Sequence, residues 1–346
     1  PPGFTLPTSL CASYYDASEQ LTPNVLNAIS EGVTFIEQEL NGPVFGDPAK
    51  PLLLSVRSGA PKSMPGMMDT VLNLGITDLT VEGLTQVSGN RRFALDSYRR
   101  LIQMYGDVVC DIPRDCFEGP LSALKEQFGF ALDSELREEH LETLIAQLKE
   151  VFRDRAGFPF PQDPREQLNR AIAAVFGSWN TKRAVVYRRI NNIPEGWGTA
   201  ANIQAMVFGN FGSNSATGVA FSRDPGTGER QVFGEWLPDA QGEDVVAGIR
   251  TPGPVHRAGK SIATAEVGSL EEALPETFRQ LLELMGRLEL HFRDIQDIEF
   301  TIQEGELYLL QTRAAKRTAR AALRSAVEMV DEGLISRAEA VMRVSP

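Results

Sequence analysis

Residues 52–69, LLLSVRSGAPKSMPGMMD, lead an apolar run into Ser55-Val56-Arg57-Ser58-Gly59, a small polar turn with one cation, Arg57. A second loop follows, Ser63 to Asp69, with three methionines around Pro65-Gly66. Small residues after a strand let backbone N–H groups come close to a phosphate, and an arginine adds a bidentate charge. The same residues suit an ordinary strand closed by a Gly/Pro turn. Neither GxxxxGK[ST] nor GxGxxG occurs in this stretch to decide between them.

A second constellation lies at 296–313, QDIEFTIQEGELYLLQTR. Side chains alternate along a strand, so Asp297 and Glu299 share one face while Ile298, Phe300 and Ile302 share the other. Gln311 and Arg313 also share a face. A three-residue hairpin loop with Gly305 left-handed would pair residues whose numbers sum to an even value, placing Asp297, Glu299, Gln311 and Arg313 on one side. A two-residue Glu-Gly turn would split them. Two such carboxylates suit Mg²⁺ held against a triphosphate. From alternation alone, a solvent-facing polar face is the commoner outcome.

The wording of the chain adds to both readings. SVRSGAPKSMPGMMDTVLNLG, GNRRFALDSYRRLIQMYGDVV, FPQDPREQL, AVFGSWNTKRAVVYRRINNIP, WGTAANIQAMVFGN, TGVAFSRDPGTGE, AQGEDVVAGIRTP, QDIEFTIQEGELYLLQTR and DEGLISRAEAV follow one another in this order. Together they resemble the nucleotide-binding part of pyruvate phosphate dikinase over nearly the whole chain. Phosphoenolpyruvate synthase and the glucan, water dikinases resemble it less in these words.

The resemblance implies an ATP-grasp fold with a helical insert. It also implies that QDIEF and LLQTR carry the metal-binding carboxylates, Asp297 and Glu299, and the glutamine, Gln311. Gln311 and Arg313 would orient the polyphosphate. Arg99 and Arg100 stand on the polar side of a helix, where a solvated pair is usual; the family match selects Arg100, with Arg57, to steady phosphate. Gln204, Met206 and Val207 lie where the family offers backbone groups to adenine, although core packing also explains them. The small polar segment 210–218 reads as an exposed loop or as the family's loop over the ATP phosphates. Ala216 replaces a common glycine there, while Thr217 and Gly218 keep the expected identities. Glu243 matches a position near the nucleotide.

The implied chemistry is the ATP and phosphate half of ATP + phosphate + pyruvate = AMP + pyrophosphate + phosphoenolpyruvate. Pyrophosphoryl passes from ATP to a histidine on a separate swivelling domain and then to phosphate. The phosphate-contacting lysine segment that precedes a PPGF-like stretch in the family is not found, since PPGF is residues 1–4. His140, His256 and His291 lack the family's Thr-Ser-His context. The chain is therefore expected to be a fragment, inactive alone in the full reaction, whose partners are the phosphohistidine and pyruvate-binding domains of the same polypeptide. The full-length enzyme is expected to be a homodimer and the fragment a monomer. Alternatives are a phosphoenolpyruvate synthase-like dikinase domain and a nucleotide-binding module without turnover.

These groups need elements to hold them. Helices are expected over 24–40, 93–109, 134–153 (capped by Asp133 or Ser134), 166–179 and 273–292. Strands are expected over 52–56, 184–190, 200–208, 217–223, 230–236, 296–303 and 306–312, with DPGTGE (224–229) as a turn. The fold class is α+β. In the ATP-grasp terms of the resemblance, 1–75 with 162–207 forms a first subdomain, 76–161 a helical insertion and 208–313 a second subdomain. Residues 314–346 read as helices leaving the domain, a linker toward the phosphohistidine domain.

Composition sets outer bounds. The 346 residues can bury one large core or two modest ones. A net charge of −12 argues against nucleic acid held on a broad basic surface, so phosphate binding must rest on a few local cations. No apolar run reaches transmembrane length, and no signal peptide is read at the start. Cys11, Cys110 and Cys116 suggest free thiols in a reducing compartment, and a cytoplasmic location is expected.

Overall fold

The computed structural model describes residues 1–60, 62, 64, 66–247, 250–259 and 267–344. The chain divides into two compact units, Pro1–Met206 and Val207–Pro346.

The first unit begins with strand β1 (Gly3–Leu6), helix α1 (Thr8–Asp16) and helix α2 (Pro23–Leu40). In α2, Val25, Ile29, Val33 and Ile36 recur at helical spacing and are buried. Pro23 opens this helix and Asn41, in the left-handed region, closes it. Then come β2 (Val44–Phe45), β3 (Pro51–Leu52), β4 (Leu54–Gly59) and β5 (Thr70–Leu74). A helical run follows: α3 (Thr80–Ser88), α4 (Arg91–Cys110), α5 (Asp115–Phe128), α6 (Glu138–Ala156), α7 (Pro164–Ser178) and α8 (Lys182–Ile190). Strand β6 (Ala200–Ala205) completes the unit. An antiparallel sheet runs β1-β6-β4-β5. Helix α7 packs on it, and Leu54, Val56, Val71 and Ile203 of the sheet and Ile172 and Val175 of α7 are all buried.

The second unit has β7 (Ala216–Phe221), β8 (Phe233–Pro238), α9 (Gly242–Ala247), β9 (Gly253–Pro254), α10 (Leu270–Ala273) and α11 (Pro275–Phe292). The hairpin β10 (Gln296–Gln303) and β11 (Glu306–Ala314) precedes α12 (Ala319–Asp331) and α13 (Arg337–Arg343). Its antiparallel sheet runs β11-β10-β7-β8-β9. Phe278, Leu281 and Met285 of α11 meet Ile298, Phe300 and Ile302 of β10 in the core.

Three expectations are corrected. Residues 184–190 are helical, not extended. The Thr181 side chain accepts the Ala184 N–H, and the Arg188 guanidinium lies 4.1 Å from the Trp179 ring centroid. Cap and anchor outweigh the extended preference of Val185 and Val186. Helix α6 starts at Glu138, after Asp133 and Ser134. His140 Nδ1 accepts the Arg137 N–H at 3.1 Å and so caps it, while Asp133 binds Lys125 at 2.9 Å. The last helices do not leave their unit. Met329 and Ile335 are buried with Ile295 and Ala315, and Phe221 packs against this cluster.

Arg223, fully buried, fixes α12 further. Its guanidinium meets Glu289 of α11 at 2.7 Å, Glu328 of α12 at 3.2 Å, and Glu332, just past the end of α12, at 2.7 Å. The 224–229 turn also seats α12: the Thr318 hydroxyl donates to the Gly226 carbonyl at 2.7 Å. Among the described residues no helix is long and apolar enough to cross a membrane. Cys11, Cys110 and Cys116 are free thiols.

Candidate functional site

In the first unit, Arg57 sits on β4 opposite Asn202 of β6 and Thr70 of β5. Two residues on, a Cβ at Gly59 would lie 2.8 Å from Asn202 Nδ2, so a side chain there would make the Asn202 amide shift. The methionine loop that follows is anchored rather than free-standing. Met64 is buried with Trp179, Ala184 and Ile193, and Met67 and Met68 pack against the same cluster. Lys62 Nζ donates to the Asn191 carbonyl at 3.3 Å. Ser63 and Pro65 lie outside the described residues.

Arg99 and Arg100 are not a solvated pair. Asp96, buried beneath them on α4, accepts Arg99 Nη2 at 2.6 Å through one oxygen and Arg100 Nε at 2.9 Å through the other. Arg99 is buried; its Nη1 also donates to Gln103 at 2.8 Å. Burial pushes the Asp96 carboxyl pKa up. The two guanidinium groups pull it down further and hold it well below the usual carboxylate range. Arg100 is thus a cation whose head is set from behind. The sequence signal was present in the Asp-x-x-Arg-Arg spacing, which places both arginines within one helical turn of the aspartate.

Gln204, on β6, stands between Ser55 of β4 and Gly3 of β1, and its Nε2 donates to the Pro1 carbonyl at 3.2 Å. Met206 N–H donates to the Leu53 carbonyl at 2.9 Å, so that donor is committed to the backbone and not offered to a base. Val207 opens the second unit, and its backbone is not part of β6.

In the second unit the hairpin closes with a two-residue turn. Gln303 pairs with Glu306, and Glu304 and Gly305 are both left-handed, at φ 51° and 86°. That register alone would split the candidate residues. A bulge between Glu299 and Phe300 restores them: Phe300 faces Leu309, but Glu299 faces Gln311, leaving Leu310 as the extra residue. Asp297 then faces Arg313. The four polar side chains share one face of the sheet, opposite the buried Ile298, Phe300 and Ile302. The expected loop is corrected, and the bulge accomplishes the grouping that the loop was expected to make.

Arg313 Nε binds Asp297 Oδ2 at 2.7 Å, and its Nη2 lies 3.9 Å from Glu299 Oε1. Oxygen donors on one strand are the type a hard cation takes. Among the described residues, no three His, Cys, Asp or Glu side chains converge as metal ligands. The donor set therefore fits Mg²⁺ shared with ligand oxygens and water, not a cage built by protein alone.

Thr217 and Gly218 are not loop residues. Both lie within β7, and Ala216, its first residue, is fully buried. The Thr217 hydroxyl donates to the Phe300 carbonyl at 3.2 Å. A Cβ at Gly218 would collide with the Phe300 ring and lie 2.6 Å from the Glu235 carbonyl oxygen. Strand packing accounts for this threonine and glycine. Glu243 falls in α9, and its side chain lies outside the described residues.

Comparison with known proteins settles the family. Residues 17–334 match the family described as pyruvate phosphate dikinase, AMP/ATP-binding domain. The chain belongs to this family. It is 52% identical over 345 residues to pyruvate, phosphate dikinase of Clostridium symbiosum, covering 99% of this chain and 38% of that one. It is 52% identical over 346 residues to the Rhizobium meliloti enzyme, covering 100% and 38%. Pyruvate, phosphate dikinase 2 of Zea mays is 47% identical over 346 residues, again covering 100% and 38%. The chain thus spans a little over a third of the length of these dikinases.

Proposed function

We propose that this chain is the ATP-binding part of a pyruvate phosphate dikinase, with an ATP-grasp architecture and a helical insertion at 76–161. It would carry the half-reaction in which ATP, phosphate and a histidine elsewhere in the polypeptide give AMP, pyrophosphate and a phosphohistidine. The histidine and pyruvate-binding parts would lie in the remaining length that the relatives possess.

The observation that carries this reading is the bulged hairpin. It gathers two carboxylates, an amide and a guanidinium on one face, a set suited to a metal-bound polyphosphate. Asp297 and Glu299 would hold Mg²⁺, which when bound neutralises phosphate oxygens and draws electron density from the reacting phosphorus. Gln311, opposite Glu299, would donate its amide N–H to a phosphate oxygen. Arg313 would orient the polyphosphate. Arg57, within β4, and Arg100, braced by Asp96, would steady phosphate groups or inorganic phosphate. These side chains do little covalent work, because phosphoryl transfer asks chiefly for alignment and charge neutralisation.

The test is calorimetric titration of ATP with Mg²⁺ into the chain and its Glu299→Gln variant. Retained melting with affinity lowered about tenfold or more supports the role, as does loss of AMP formation by roughly 10²-fold in the full-length enzyme. Unchanged affinity and turnover would return Glu299 to an ordinary surface acid.

A further inference from the structure

The hairpin face presents a difficulty for any divalent ion. Asp297 and Glu299 stand two residues apart on one side of β10, where two carboxylates repel each other. Arg313 resolves that repulsion. It lies directly across from Asp297, binds Oδ2 at 2.7 Å, and reaches to 3.9 Å from Glu299. Its guanidinium therefore occupies the position between the two acids that a metal ion would take. The Asp297 side chain is only 12% exposed, so an ion has little room to approach it from another side. An ion bound there would also bring two like charges together beside Arg313.

We propose that Arg313 is a place-holder cation. It pairs with Asp297 and reduces its repulsion with Glu299 when no metal is bound, and it is displaced from Asp297 as Mg²⁺ enters with nucleotide. This rests on reading Asp297 and Glu299 as metal ligands. Metal entry thus frees a guanidinium at the moment a polyphosphate needs one. Gln311 carries no charge and has no reason to move. Metal and nucleotide reinforce each other because the metal alone must break the Arg313 pair, while the nucleotide gives the released side chain a new partner.

Arg313 therefore has effects of opposite sign on the two ligands. Arg313→Met should bind Mn²⁺ more tightly than wild type without nucleotide, by about tenfold, the low end for losing a charge-assisted competitor. The same variant should bind ATP with Mn²⁺ more weakly, also by about tenfold. Arg313→Lys keeps the charge without the fork and should fall between the two for Mn²⁺. A merely structural arginine would weaken both ligands together.

The experiment measures free Mn²⁺ by electron paramagnetic resonance during titration of the chain, with and without ATP. Thermal melting of each variant shows that it folds, and Asp297→Asn serves as control. Opposite shifts in Arg313→Met, with Mn²⁺ binding lost in Asp297→Asn, support the proposal. Equal or weaker Mn²⁺ binding by Arg313→Met, while Asp297→Asn still abolishes it, overturns the place-holder but keeps the metal ligands. Mn²⁺ binding indifferent to Asp297→Asn overturns both.

Discussion

Replacing Asp96 with Asn keeps the volume of the side chain and removes the charge that two arginines share. Arg99 is then left buried, with Gln103 at 2.8 Å and Asp133 at 3.5 Å as its remaining partners. Breaking a buried ion pair by removing one member costs about 3–5 kcal/mol, and the residual Asp133 contact places this case near 3. For a unit of this size, about 2–4 °C of melting temperature accompanies each kcal/mol, so the first unit should melt roughly 6–12 °C lower. The pH dependence supplies a second signature. Burial raises the Asp96 pKa, but Arg99 and Arg100 lower it more, so the folded carboxyl ionises well below its unfolded value near 3.9. Its stabilisation is complete above about pH 4 and is lost as pH falls toward the folded pKa. By pH 3, wild type has forfeited about 1 kcal/mol of it, and the gap between wild type and variant should narrow by that amount. Urea denaturation at pH 7 and pH 3 checks both. A gap under about 1 kcal/mol at pH 7, or one that does not narrow, refutes the assignment of Asp96 as the ionised brace behind Arg100.

Arg223→Met should strand the carboxylate of Glu289, with the Ser222 hydroxyl at 2.7 Å as its relief among the described residues, and cost about 3–5 kcal/mol in the second unit. Urea denaturation measures the loss, and faster proteolysis between 315 and 343 should accompany it if this arginine seats α12. Gly218→Ala should cost about 1–3 kcal/mol, because the Glu235 carbonyl, backbone rather than flexible side chain, limits the space. Thermal melting decides, and an unchanged transition would mean that β7 and β8 separate at little cost.

The parts of the fold that were legible in the sequence are those where one local signal dominates. Helix α2 shows four apolar residues at helical spacing between a proline and an asparagine, and α4 has Asn90 accepting the Phe93 N–H at 3.0 Å. Where two signals compete, the sequence misleads. Val185 and Val186 favour a strand, but Thr181 caps a helix and Arg188 stacks on Trp179, a contact nine residues apart in the chain. The burial of Arg99 was hidden in the same way. An arginine pair on the polar side of a helix reads as solvated until Asp96 is seen to point with it and Asp133 arrives from the segment between α5 and α6.

The candidate metal face shows most clearly why types can be read before geometry. Asp297, Glu299, Gln311 and Arg313 were identifiable by residue type and by family wording, yet the loop expected to align them does not form. Glu304 and Gly305 make the tighter turn, in which β10 and β11 begin one residue out of step with that arrangement. The missing residue is returned at Leu310, which carries no sequence mark of a bulge: no glycine, no proline and no break in the apolar run 307–310. What fixes it is the core. Phe300 and Leu309 face each other against α11, and Ile298 and Ile302 must keep the same inward face. Once those residues are packed, Asp297 and Glu299 can point only outward. The second strand must then gain a residue for Gln311 and Arg313 to meet them. The polar face is thus set by the apolar one behind it, through a side-chain period of two that permits no partial slip.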